Sequence, residues 1–196
     1  MCTNTEIRIL EQVYLRPGVH KRELSKILKI SMSSLENAIK KINQLLKTKK
    51  SGNQINFFIN YSKKDIVPAL YEIEYRRLDK LPWKVKNAIY EFLGDLQKKP
   101  LIAIIFGSYA SGDYNKDSDI DILLIYSKVD NEDEIENSAK KIGMGTNTEI
   151  NSVYLDYNSF KESFHNNRKE FFKNLKENKI IICGVEWWRE LKNEEA

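Results

Sequence analysis

Between Ile104 and Ile125 the chain reads IIFGSYASGDYNKDSDIDILLI. An apolar, β-branched run from Leu101 to Phe106 stops at Gly107-Ser108, and ten residues after Ser108 the pair Asp119 and Asp121 heads a second apolar run. Alternate residues of a strand share a face. Asp119 and Asp121 therefore stand on one side, about 6–7 Å apart along the backbone, while Ile120, Ile122 and Leu124 point to the other. Two carboxylates at the edge of an apolar strand repel one another and resist desolvation, so a divalent cation is their natural partner. Oxygen-only ligation suits Mg2+ or Mn2+, which also bridge the oxygens of a nucleoside triphosphate. The turn before them complements that chemistry. Gly107 lets the backbone approach a ligand with no Cβ in the way, and the Ser108 hydroxyl and nearby N–H groups suit phosphate oxygens. The Gly-Lys-Ser/Thr ending of a Walker loop is absent, so this is a different phosphate-binding design.

The elements that must hold these residues follow from periodicity. Pro82 to Gln97 forms an amphipathic helix through Val85, Ile89, Phe92 and Leu93, ended by Lys98-Lys99-Pro100 ahead of the first strand. Asn131–Ile142 (NEDEIENSAKKI) is a helix with an acidic start and a basic end that match its dipole, closed by Gly143-Met144-Gly145. Thr148–Leu155 (TEINSVYL) is the next strand. Two further helices, Tyr157–His165 and Asn167–Asn178, share an apolar face of Phe160, Phe164, Phe171, Phe172 and Leu175. Lys169, Lys173 and Lys176 either border the nucleotide cleft or form a solvated helix face. Lys179–Gly184 is a last short strand, and Trp187-Trp188 open a short helix as a packing anchor or interface.

Gly107-Ser108, ten intervening residues and Asp119-Ile120-Asp121 resemble the signature of the DNA polymerase β-type nucleotidyltransferase superfamily. GSYASGDYNKDSDIDILL is particularly similar to the minimal nucleotidyltransferases of prokaryotes, over residues 100 to about 185. The resemblance implies an α+β domain, with a mixed β-sheet flanked by helices. It implies transfer of a nucleoside monophosphate, AMP from ATP or the equivalent from another triphosphate, with pyrophosphate leaving. Gly107 and Ser108 would grip the triphosphate, and Asp119 and Asp121 would bind Mg2+ (or Mn2+). Two metal ions would flank the in-line displacement. Some antitoxins of this class adenylylate a partner toxin, which makes a protein acceptor one expectation. Full activity calls for a third carboxylate on a neighbouring strand. Glu149 is the acid within the expected strand and is the candidate for both catalysis and metal ligation. Its neighbour in alternation is Asn151, where an aspartate would be expected. Asp156, at the strand's far end, suits a helix cap.

The first third of the chain has a different character. Thr5–Leu15, Lys21–Leu28 and a helix capped by Ser31 carry apolar stripes, the third through Leu35, Ala38, Ile39 and Ile42. Leu45–Lys50 and Ile55–Asn60 flank Ser51-Gly52-Asn53-Gln54 as a hairpin. His20 is a polar surface or cap residue. Three short helices and a hairpin resemble the winged helix-turn-helix family over residues 1–62. That resemblance implies a third helix entering the major groove of duplex DNA, with Ser33, Ser34, Asn37, Lys40 and Lys41 outward and Lys47, Lys49 and Lys50 near phosphates. Winged helices also bind proteins and form homodimers, and a charge-rich helix face is often only solvated. Residues 63–99 read as a helical connector (Ser62–Asp79, then Pro82–Gln97) and residues 100–196 as the nucleotidyltransferase domain.

Charge divides along the same line. Residues 1–64 hold thirteen Lys/Arg against four Asp/Glu, a balance of +9, while residues 101–196 hold twelve against eighteen, a balance of −6. The basic part is attracted to polyanions. No apolar run approaches the ~20 residues of a membrane span, and MCTNTEIRILEQ lacks the apolar core of a signal peptide. Cys2 and Cys183 are isolated, as expected of a reducing cytoplasm. The expectation is therefore a metal-dependent nucleotidyltransferase tied to a winged helix, as in an antitoxin. The alternative is a DNA-binding transcriptional regulator whose second domain senses nucleotide with weak or no turnover.

Overall fold

Thr3 opens the first helix, α1 (Asn4–Leu15), with a reciprocal cap. Its hydroxyl accepts the Glu6 N–H at 3.4 Å, and the Glu6 carboxylate accepts the Thr3 N–H at 2.8 Å. The computed structural model describes residues 2–130, 132–166 and 170–195. By contacts these fall into two units: one reaches to Ile73 and takes in Lys192–Glu194, and the other runs from Glu74 to Leu191 with Glu195.

In the first unit α1 is followed by β1 (Val19–His20), α2 (Lys21–Leu28), α3 (Met32–Lys41), β2 (Leu46–Ser51) and β3 (Gln54–Ile59). The strands form an antiparallel sheet in the order β1-β3-β2. His20 caps α2 by accepting the Glu23 N–H at Nδ1, and Ser31 caps α3 by accepting the Ser34 N–H. Leu10, Val13, Leu24 and Leu35 are fully buried, and Phe57 and Ile59 close the core from the sheet. Of the stripe expected on α3, Leu35, Ala38 and Ile42 are buried and Ile39 is half-buried. β1 is an addition to the expected hairpin. Its two residues pair with Phe57 and Asn56.

α4 (Val67–Asp79) and α5 (Trp83–Asp95) lead into the second unit. There the elements run β4 (Ile102–Phe106), α6 (Gly107–Ser111), β5 (Ile120–Tyr126), α7 (Glu132–Thr146), β6 (Ile150–Asp156), α8 (Tyr157–His165), α9 (Glu170–Glu177), β7 (Ile180–Cys183) and α10 (Val185–Glu194). The sheet order is β6-β5-β4-β7. β4 pairs antiparallel with β5 and β7, whereas β5 and β6 are parallel, joined by the crossover helix α7. This is a mixed sheet in an α+β domain.

Both faces of the sheet are buried, which explains why β5 reads as one continuous apolar run. Ile120, Ile122, Leu124 and Tyr126 join Ala103 and Ile105 against Val85, Ile89 and Phe92 of α5 and Ile135 of α7. On the other face Ile104, Leu123 and Ile125 are fully buried. An aromatic chain begins on that face, from Phe106 to Phe171, Phe172, Phe160, Phe164 and Trp188, each ring meeting the next at 5.0–5.8 Å. Glu74 is 1% exposed and accepts the Ile181 N–H at 3.1 Å and Arg77 Nη1 at 3.2 Å, so a buried acid is satisfied at the edge strand β7.

Two boundaries beside the aspartate-bearing strand differ from the expectation. α7 continues through Gly143 and Gly145 to Thr146 instead of closing at them. A Cβ on Gly143 would sit 3.1 Å from the Thr148 carbonyl oxygen, so this glycine serves a close approach and not a helix stop. β6 begins at Ile150, which leaves Glu149 just outside the strand. α9 is described from Glu170; Asn131, expected in α7, and Asn167 and Lys169, expected in α9, lie outside the described residues. Among the described residues no helix is long and apolar enough to cross a membrane.

Candidate active site

The site forms where β4 ends. Phe106 pairs with Asp121 across the antiparallel ladder, so the residue after Phe106 must pass directly over the Asp121 side chain. That residue is Gly107, with φ +65°; a Cβ there would lie 2.1 Å from Asp121 Oδ2. Glycine is required twice, for its backbone angle and for the carboxylate lying against it. Ser108 follows in the first turn of α6, half-buried, with its hydroxyl uncommitted among the described residues. Its carbonyl accepts the N–H groups of Gly112 and Asp113, which closes the short helix.

Asp119 and Asp121 are both half-buried. Parallel pairing of β5 with β6 sets Asn151 opposite Asp121. Asn151 Nδ2 donates to Asp119 Oδ2 and to Asp121 Oδ1, each at 3.4 Å, so one amide faces both carboxylates. Burial raises the pKa of Asp121; the Asn151 hydrogen bond opposes that shift and the Asp119 charge adds to it. Among the described residues neither aspartate has a cationic side-chain partner. Two carboxylates without a counter-charge fit Mg2+, which binds through one or two protein carboxylates and takes its remaining ligands from water and substrate phosphates.

The third position is where expectation and geometry part. Among the described residues no group of three or more His, Cys, Asp or Glu side chains comes close enough to hold a metal. Glu149 is exposed, and its carbonyl accepts the Ile120 N–H at 2.8 Å, which ties its backbone to β5. Its side chain lines an open cleft of about 800 Å³ with Asp119 and Asn151, but the group that meets both aspartates is the Asn151 amide. Asp156 caps α8 by accepting the Ser159 N–H and hydroxyl, as its position suggested.

Residues 87–184 match the family described as Polymerase beta, Nucleotidyltransferase. The chain belongs to that family. Similarity extends to a protein of Methanocaldococcus jannaschii named "Putative protein adenylyltransferase MJ0604", 38% identical over 89 residues, which span 42% of this chain and 88% of that one. Nucleotidyl transfer is thus the reaction class of the second unit, and the glycine-serine turn with its two aspartates lies inside the matched segment.

The other candidate residues lie on other elements, α3, β2 and α9. Ser33, Ser34, Asn37, Lys40 and Lys41 are all exposed on α3. The hydroxyls of Ser33 and Ser34 gather at the Ser31 cap, and Lys41 Nζ lies 4.0 Å from Glu6. Lys47, Lys49 and Lys50 are exposed along β2. Lys173 is exposed on α9, and Lys176 lies over the Phe164 ring at 4.4 Å. Phe171, Asn174 and Asn178, not the lysines, line a cavity that reaches Gly107. The available signal was their spacing of three and four residues, one face of a helix.

Proposed function

We propose that the second unit transfers AMP from ATP to a hydroxyl of a macromolecular acceptor. The observation that carries this reading is the Asp121 carboxylate seated against Gly107, with Asp119 beside it and, among the described residues, no cationic side chain to pair either. Asp119 and Asp121 would hold Mg2+ (or Mn2+), whose charge would offset the negative charge of the triphosphate and the leaving pyrophosphate. Gly107 and Ser108 orient the phosphate chain through a backbone free of any Cβ and through the hydroxyl. The acceptor oxygen bonds to the α-phosphorus as the bond to pyrophosphate breaks. The name of the archaeal relative supports a protein acceptor; a partner toxin in the cytoplasm is proposed as that acceptor.

Transfer of label from α-labelled ATP with Mg2+ tests this, comparing the full chain with Asp119→Ala/Asp121→Ala. Intact nucleotide binding with no label on any partner or on the chain itself overturns it. The first unit is proposed to act as a winged helix on duplex DNA, supported by its element order, the +9 balance of residues 1–64 and the exposed polar face of α3. Asn151 favours a second reading, a DNA-binding regulator that senses nucleotide with weak or no turnover, because an amide can neither ligate as a charge nor accept the acceptor's proton. DNA affinity that shifts with ATP while no label is transferred would select it.

A further inference from the structure

A second cavity, of about 420 Å³, opens beside Gly107. Phe106 and Gly107 form one wall; Phe171, Asn174, Leu175 and Asn178, from α9 and the turn that ends it, form the other. The cavity sits on the aspartate-bearing face of the sheet, because Phe106 and Asp121 are paired residues and share a side. Gly107 touches both the Asp121 carboxylate and the cavity, so the two sites are contiguous.

The lining is neutral. Among the described residues it holds neither a carboxylate nor a cation, which beyond Gly107 suits a neutral group better than a phosphate chain. Phe171 remains 39% exposed although its ring meets Phe106 edge-on at 5.4 Å, and an aromatic ring at a cavity wall is a stacking surface. Asn174 and Asn178 are exposed, and their side-chain amides are unbonded among the described residues. Each offers one acceptor and one donor group, the complement of the N6 amine and N7 on one edge of adenine. On that same edge guanine presents O6 and N7, two acceptors that call for a guanidinium or ammonium. No such group lines the cavity among the described residues.

We infer that this cavity is the nucleobase subsite of the same site, with Phe171 stacking on the base and Asn174 and Asn178 selecting adenine over guanine. The inference rests on the triphosphate reading of Gly107-Ser108 given above. It makes α9 the specificity element of the domain, and the choice of nucleotide a property of amides and not of charge.

Calorimetric titration of the full chain with Mg2+ and ATP, GTP or inorganic tripolyphosphate tests it. The wild type should bind ATP roughly tenfold or more tightly than GTP, the scale of one good base contact. Asn174→Leu/Asn178→Leu should erase that preference and leave tripolyphosphate affinity unchanged. Phe171→Ala should weaken both nucleotides by about tenfold, the scale of one stacked base, and again spare tripolyphosphate. Lys173→Ala, an exposed change on the same helix, should do none of this. Wild-type binding of ATP no tighter than tripolyphosphate, or a preference for ATP that survives the asparagine changes, overturns the subsite and leaves the triphosphate site standing. Failure to bind any of the three probes overturns the triphosphate reading and this inference with it.

Discussion

Gly107→Ala separates what the backbone needs at this position from what the carboxylate needs. Gly107 and Gly112 flank α6 with φ +65° and +89°, both in the left-handed region. An L-residue there costs about 1–2 kcal/mol, which for a chain of this length lowers Tm by about 2–8 °C. At Gly112 that is the whole effect, since nothing lies within 4 Å of a new Cβ. At Gly107 the new Cβ would meet Asp121 Oδ2 at 2.1 Å and Cγ at 3.1 Å, while real Cβ contacts do not fall below 3.0 Å. Asp121 is short, and its head group can swing away by rotation about χ1, so the conflict is relieved by moving the carboxylate about 1 Å. A displacement of that size at a reacting centre costs on the order of 100-fold in rate. The two alanine variants should therefore share a similar drop in Tm and differ in activity. Gly107→Ala should lose about 100-fold in kcat/KM for label transfer from ATP, and Gly112→Ala should stay within about threefold of the wild type. Melting curves and transfer assays on the same preparations measure both. Equal activity in the two variants would refute the seating of Asp121 against Gly107 as a catalytic requirement.

Asp121→Asn should abolish transfer yet raise the Tm of the metal-free protein above the ordinary carboxylate range of pH. Burial raises the folded-state pKa of Asp121, so stability present at low pH is lost as pH rises through that value, and the variant escapes the loss. Added Mg2+ should raise the Tm of the wild type and leave that of the variant unchanged. Asn151→Asp should tighten Mn2+ binding and lower the metal-free Tm, because it sets a third acid where one amide now serves two; Glu149→Gln should change Mn2+ affinity by less than about threefold, followed by electron paramagnetic resonance. For the first unit, Lys40→Ala/Lys41→Ala should reduce the slope of log affinity against log salt on duplex DNA by about 2, read by fluorescence anisotropy at several salt concentrations.

The parts of this fold that were legible in the sequence are those fixed by local chemistry. α2 spans Lys21–Leu28 as its periodicity indicates, and Ser31 and Asp156 cap the helices they precede. β1 was not legible, because two residues carry no period and Val19 and His20 become a strand only through pairing with Phe57 and Asn56. The glycines of α7 misled for the opposite reason. Gly inside a helix costs only about 1 kcal/mol, and the close approach of the Thr148 carbonyl at Gly143 asks for that missing Cβ. At the candidate site the two aspartates and the glycine-serine turn stand within one short segment and could be read together. Which residue of the next strand would face them depends on the register of a parallel pair some thirty residues away, which no local pattern encodes.

That register gives Asn151 its meaning. A third carboxylate in its place would concentrate three negative charges in a half-buried pocket, tolerable only while cations are bound. An amide that donates to both Asp119 and Asp121 offsets part of their repulsion in the metal-free state and leaves the triphosphate-binding side unaltered. It also removes one charged ligand and one proton acceptor, so binding and turnover come under separate control. In the proposed function, nucleotide affinity would rest on Gly107, Ser108 and the two aspartates, with Phe171, Asn174 and Asn178 holding the base. Turnover then depends on how the acceptor hydroxyl loses its proton, and an acceptor that arrives with its own base would supply what position 151 does not. Under the proposed function the two readings would then be one site under two conditions, a nucleotide binder when alone and a transferase when the acceptor is bound.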